Sequence, residues 1–486
     1  MRFLAALLLF LAAGLGARAA APAGASVLTY HGDPARSGNY VVPGLTWRAA
    51  QGMRRDGAFD GAVEGHVYAQ PLYWRPPGGA RGMIIVATES DVVQALDEGT
   101  GHTIWRVALG RPVARAALPC GNIDPLGITG TPVIDPANGA LFLDAMVDRD
   151  GVPAHLVFGL SLADGHVLAG WPVDVQAALR ERGIAFTPRE QNQRAALALL
   201  DGRVFVAFGG NWGDCGRYHG IVLGLDEAPP HAAVAWSTRA LKGGIWAPGG
   251  IAEDEGALFV ATGNTDDAES WGDGEGVFRL GPGLIHSLDR RDFYAPRNWK
   301  ELDDDDLDMS GVSPLPFDLG GAHRLLALGK DGNAYLLDRD DLGGIGGQIE
   351  TRHVAGGPII TAPAFFPEAG REVVAFQARR TVCPDGGAGG LAAVAVTASA
   401  VAPLWCARLD GRGSAMVTTT DGAAQPIVWI AGAEGDGRLH AFRGDTGAPL
   451  WTSQEALPGL RHFVTALVAG RRLYIAGDGR VFAFGW

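Results

Sequence analysis

The sequence predicts an all-β chain folded as an eight-bladed β-propeller of four-stranded antiparallel blades. Three observations carry this. A unit of β-rich run, polar turn, β-rich run and Trp recurs along the chain, clearest in VVQALDEGTGHTIWRVALG, ending at Gly110, and GRLHAFRGDTGAPLWTSQEAL, ending at Leu457. In both copies Thr-Gly follows Asp97 or Arg443, and a Trp stands eight positions after that residue, at Trp105 and Trp451. The other two observations are a β-branched, apolar strand that precedes each unit and a glycine content of 72, which suits many tight hairpins. A unit this short cannot cover both faces of its own sheet, so the copies must stack around an axis.

The position of Asp97 recurs at Ser161, Asp226, Leu280, Asp338, Thr397, Arg443 and, in a truncated unit, Gly485. Ahead of each unit comes an apolar strand: MIIVATES, ALFLDAMVD, RVFVAFGG, ALFVATGN, RLLALGK, REVVAFQAR, PIVWIAGAE and RLYIAGD. Before these lie strands that begin with small or polar residues, such as ITGTPVI and ITAPAFF, as inner strands converging on a crowded axis require. The last unit ends at Trp486, one strand short of a blade, and SVLTYHGDPARSGNY (26–40) has strand character without a blade of its own. Pairing the two would close the ring and remove its open edge. Helical spacing is confined to 175–182 and 295–302.

The first 21 residues read as a secretory signal peptide, with Arg2, an apolar run over 3–15 and Ala-Arg-Ala at 17–19, which leaves 22–486 as a single propeller domain. The run is too short to span a bilayer well, so no membrane span is expected, and a secreted or periplasmic location is. The net charge of −13 falls to −15 without Arg2 and Arg18, which argues against nucleic acid as a partner. Export permits disulfides, and four Cys allow three pairings. In a propeller the blade-to-blade connections and the middle-strand loops emerge on one face, which pairs Cys120 with Cys215. Cys383 and Cys406 fall on or beside neighbouring strands of one blade.

No HExxH, GxSxG, Walker A or CxxCH sequence is present. A set of polar residues instead falls where strands begin or middle loops turn: Asp214 in GGNWGDCG, Trp246 in GGIWAPGG, Asn264 in ATGNTDD, Asp306 and Asp308 in DDDDLDMSG, and Lys330 in LGKDGN. Oxygen ligands from separate blades suit a hard cation such as Ca²⁺. An axial Trp offers a platform for a planar ligand, and a nearby Lys can polarise a carbonyl. Such a set would serve a quinone hydride acceptor, with the cation as Lewis acid and a carboxylate as base.

At these residues the chain resembles the quinoprotein (PQQ-dependent) dehydrogenases. Its Thr-Gly-Trp repeats resemble their tryptophan-docking motifs, and TYHGDPARSGNY resembles the N-terminal segment of PQQ-repeat proteins. The resemblance implies Trp246 as the floor beneath the quinone, Asn264 and Asp214 as calcium ligands, and Asp306 as catalytic base and a third metal neighbour. It implies Lys330 as the basic residue that contacts the quinone and supports catalysis. The cofactors would be PQQ and Ca²⁺. The partners would be a small hydroxyl substrate and a separate electron acceptor, such as a cytochrome c or a quinone. Three departures stand out. CGNID offers Cys120 where alcohol-oxidising members have two adjacent Cys, Asp214 stands where they have a Glu, and the loops are compressed. The alternative is a non-catalytic envelope propeller that binds a protein or glycan.

Overall fold

The computed structural model describes residues 26–79, 81–266, 268–285 and 287–486, so the expected signal peptide lies outside the described residues. Eight sheets form the ring, each built on a four-stranded antiparallel blade, and three of them carry one short extra strand. Blade one runs from Leu72–Trp74 through Met83–Ala87 and Val92–Asp97 to Thr103–Ala108. Later blades repeat this inner-to-outer meander, and blade six is the longest, with middle strands Arg371–Val382 and Ala388–Val396. The middle strands are buried on both faces, whereas outer strands such as Thr103–Ala108 alternate with solvent.

The core is a set of layers between blades. Leu141, Leu143 and Phe158 of blade two pack on Val93, Ala95 and Trp105 of blade one, and Phe366 and Val373 of blade six pack on Val428 and Ile430 of blade seven. Each fully buried side chain of this size contributes about 1.5–3 kcal/mol, so the blades are held by their neighbours more than by their own hydrogen bonds. The recurrent Trp docks across the same layers. The Nε1–H of Trp105 donates to the Leu162 carbonyl at 3.0 Å, and that of Trp405 to the Gly444 carbonyl at 2.7 Å, in each case in the turn of the following blade. A Cβ on Gly165 would lie 2.6 Å from the Trp105 ring, and one on Gly447 2.5 Å from that of Trp405. Only glycine lets the indole seat there, and the positive φ of both turns reinforces the choice.

The ring closes as expected, though not through the expected segment. Arg54–Arg55 supplies the outer strand of blade eight, pairing with Gly485 and Phe484. Residues 26–40 instead run across the centre of the ring, touching the inner strands of several blades. Val27 bridges Tyr73 of blade one, the Leu28 carbonyl accepts from Ile134 of blade two, the Pro34 carbonyl from Glu253 of blade four, and the Ser37 carbonyl from Phe365 of blade six. Asn39–Val41 then pairs in parallel with Met416–Thr419 of blade seven. The reason lies in Arg36. Its guanidinium is 2% exposed and donates to the carbonyls of Leu197 (2.8 Å), Ile251 (2.6 Å) and Tyr30 (3.2 Å), groups that converging inner strands leave without ladder partners. The helix expected over 175–182 is Val175–Glu181. The one expected over 295–302 begins later, at Trp299–Asp304, because Phe293–Ala295 is committed to the outer strand of blade four.

Both cysteine pairings form: Cys120 with Cys215 at a Cα separation of 6.0 Å, and Cys383 with Cys406 at 5.6 Å. Among the described residues no helix is long and apolar enough to cross a membrane.

Candidate functional site at the channel mouth

The connections into the inner strands and the loops after the second strands share one face. Trp246 lies in the connection into blade four, and Asn264 follows that blade's second strand, Ala257–Ala261. Asp306 and Asp308 lie between the helix Trp299–Asp304 and the inner strand of blade five, and Lys330 follows that blade's second strand, Ala322–Leu328.

Four of these residues interlock. The Trp246 Nε1–H donates to Oδ2 of Asp308 at 3.1 Å, which fixes the indole plane. Lys330 Nζ lies 2.5 Å from the same oxygen and 2.9 Å from Oδ1 of Asp306, and sits 5.3 Å from the centre of the Trp246 ring. Oδ1 of Asp308 accepts the Asn264 backbone N–H at 2.9 Å. The two carboxylates differ in setting. Asp308 is 5% exposed, and burial raises its pKa against the pull of Lys330, whereas Asp306 is 66% exposed on a left-handed backbone at φ 54°. Burial alone would lower the pKa of Lys330, but Asp308 and Asp306 together hold it above the ordinary lysine value.

Asn264 meets the cluster through its backbone, and its side-chain amide makes no hydrogen bond among the described residues. Asp214 joins it indirectly. Its carboxylate accepts the Tyr218 hydroxyl, and the Tyr218 pKa is raised first by burial, then by Asp214 and further by Asp308. The Cys120–Cys215 disulfide adjoins Asp214 and ties its loop to the connection between blades one and two.

Glu275 belongs to the cluster and was not singled out from the sequence. Its Oε2 accepts the Met309 N–H at 2.7 Å, while its Oε1 is buried without a partner. Burial, then the charge of Asp308, raises its pKa well above the ordinary glutamate value. A signal was there in WGDGEG: Asp273 and Glu275 both take positive φ between glycines, the mark of a loop folded tightly inward.

This donor set bears on the cofactors the resemblance implies. Trp246 presents a half-buried, oriented aromatic face. Asp308 and Glu275 bring two buried carboxyls against one ammonium, and the free Glu275 oxygen and free Asn264 amide add oxygen donors. A bound cation would relieve that excess, so the residues fit one. Among the described residues no three His, Cys, Asp or Glu side chains are already gathered as ligands.

No protein-family model matches the sequence, and no curated protein matches it either. Solved structures do match in shape. The quinohemoprotein alcohol dehydrogenase of Comamonas testosteroni aligns over 95% of this chain and 80% of its own, at a TM-score of 0.66 and 15% identity. The fold is that of the quinoprotein alcohol dehydrogenases. A second quinohemoprotein alcohol dehydrogenase, from Pseudomonas putida HK5, aligns at a TM-score of 0.65 and 14% identity over 95% and 80% of the two chains. A europium-containing methanol dehydrogenase aligns at 0.63 and 13% over 95% and 98%. At these identities the quinoprotein likeness is one of fold.

Proposed function

We propose that the protein is a secreted or periplasmic quinoprotein-type oxidoreductase that oxidises an alcohol or sugar hydroxyl at the channel mouth. The observation that carries this is the interlocked set of Trp246, Asp308, Lys330 and Asp306 where blades four and five meet, in a fold shared with quinoprotein dehydrogenases. Trp246, Lys330 and Asn264 would hold PQQ. Asn264, Asp306 and Asp308 would hold the cation, with Asp214 and Glu275 adjoining them. Bound there, the quinone supplies a hydride acceptor and the cation a Lewis acid.

The chain's own residues supply binding and proton handling. Trp246 is a fixed floor because Asp308 pins its N–H. Asp306 is exposed enough to meet a substrate hydroxyl and takes its proton on a carboxylate oxygen. Lys330, 2.9 Å away, holds that carboxylate in place by an ion pair. Electrons would leave to a separate acceptor, a cytochrome c or a quinone. Calcium is the first choice of cation, and the europium-containing neighbour makes a trivalent lanthanide the second. Dye-linked oxidation of primary alcohols and aldoses, after incubation with PQQ and either ion, tests the proposal. Turnover that requires both additions supports it. Absence of turnover with every pairing returns the chain to the scaffold reading.

A further inference from the structure

A second site lies between blades six and seven. The two long middle strands of blade six pair regularly up to Gln377, slip, and resume at Thr381. The slip is a bulge, with Arg380 at φ 53°, and a bulge of this kind re-aims the side chains it carries. Arg379 and Arg380 thereby line a cavity of about 350 Å³, whose opposite wall is the connection into blade seven, with Arg408, Asp410 and Arg412. The Cys383–Cys406 disulfide fixes both walls, since Cys383 follows the bulge and Cys406 precedes Arg408. Gly389 and Gly390 line the base, where a Cβ on Gly390 would lie 2.3 Å from the Leu409 carbonyl oxygen, so the walls approach as closely as backbone allows.

Four guanidiniums face two carboxylates here, Asp410 and Glu434. Glu434 lies 2.5 Å from Nδ1 of His462 and is also drawn by the charge of Arg412, which leaves Arg379, Arg380 and Arg408 facing Asp410. Arg380 is anchored to the Gly356 carbonyl at 2.6 Å, whereas the side chains of Arg379 and Arg408 have no hydrogen bond or ion pair among the described residues. Unpaired guanidiniums gathered in one cavity repel each other. In a chain of net charge −13 nearby acidic groups could have neutralised them, yet this cavity keeps a positive excess. Guanidinium forks pair best with the two oxygens of a carboxylate or phosphoryl group.

We propose that this cavity binds a small polyanion through Arg379, Arg408 and Arg412. The ligand carries two or more carboxylate or phosphoryl groups. Calorimetric titration of the full-length oxidised protein at low ionic strength, with citrate in one arm and pyrophosphate in the other, tests it. One-site saturable binding is expected in at least one arm, and the tighter arm identifies the anion class. The double variant Arg379→Gln/Arg408→Gln should lose at least about tenfold in affinity, while Arg81→Gln, in blade one, should bind as wild type. Circular dichroism confirms that the variants fold, and single Arg408→Gln serves if the double variant does not. No saturable binding in either arm, or equal binding by the wild type and the Arg379/Arg408 variants, overturns the proposal.

Discussion

The indole N–H of Trp246 and Oδ2 of Asp308 lie 3.1 Å apart across two blades, and that oxygen also lies 2.5 Å from Lys330 Nζ. Asp308 therefore organises the channel mouth, whereas Asp306, two residues earlier, is exposed and paired with Lys330. The two positions should fail in different ways. Asp308→Asn removes the buried partner of Lys330 and should cost about 3 kcal/mol of stability, read as a lower Tm. Asp306→Asn touches an exposed pair and should leave Tm nearly unchanged, while lowering kcat about 10²- to 10⁴-fold with quinone retention intact. The same Tm loss in both variants would place the two carboxylates in one structural role.

Arg36 ties the N-terminal segment to the entries of blades three and four through the carbonyls of Leu197 and Ile251. Arg36→Met should cost about 3 kcal/mol, because it strands buried acceptors that no water replaces. Arg54→Ala, on the exposed closing strand, should cost less than about 0.5 kcal/mol. Urea unfolding of both variants checks the ordering, and equal midpoints would contradict that role.

Asp91 carries a pH dependence. Burial, then the charges of Glu89 and Asp144, raises its pKa from 3.8 to about 9, and neither of its oxygens has a partner. The folded chain therefore holds a proton that the unfolded chain has released between these values, so this residue makes stability fall as pH rises from about 4 to about 9. Asp91→Asn keeps the shape and tolerates the φ of 54°. Its Tm advantage over wild type should be near zero at pH 4 and grow toward pH 9. A constant difference across that range would refute the assignment.

Much of the fold was legible because it repeats. The Trp105 and Trp451 units, the eight apolar strands and the two cysteine pairs each follow from a pattern that adjacent blades share. The closing strand was not, because Arg54–Arg55 is two residues of no distinctive composition, while 26–40 looks like a strand and spends its hydrogen bonds on the axis. At the site, Trp246, Asp306 and Lys330 stood out by position in their blades. Glu275 did not, since its importance comes from burial beside Asp308, a contact across 33 residues that spacing alone does not reveal. The arginine cavity was hidden for a similar reason: it depends on a bulge, which shifts register without altering composition.

The central claim is that the channel mouth holds a quinone on Trp246. Absorbance titration of the purified protein with PQQ, at millimolar Ca²⁺ and in parallel with Eu³⁺, tests it most directly. Wild type should take up one equivalent and retain its chromophore through gel filtration, and Trp246→Ala should bind at least about 1 kcal/mol more weakly. Failure of wild type to retain quinone with either ion, or equal retention by wild type and Trp246→Ala, would contradict the account.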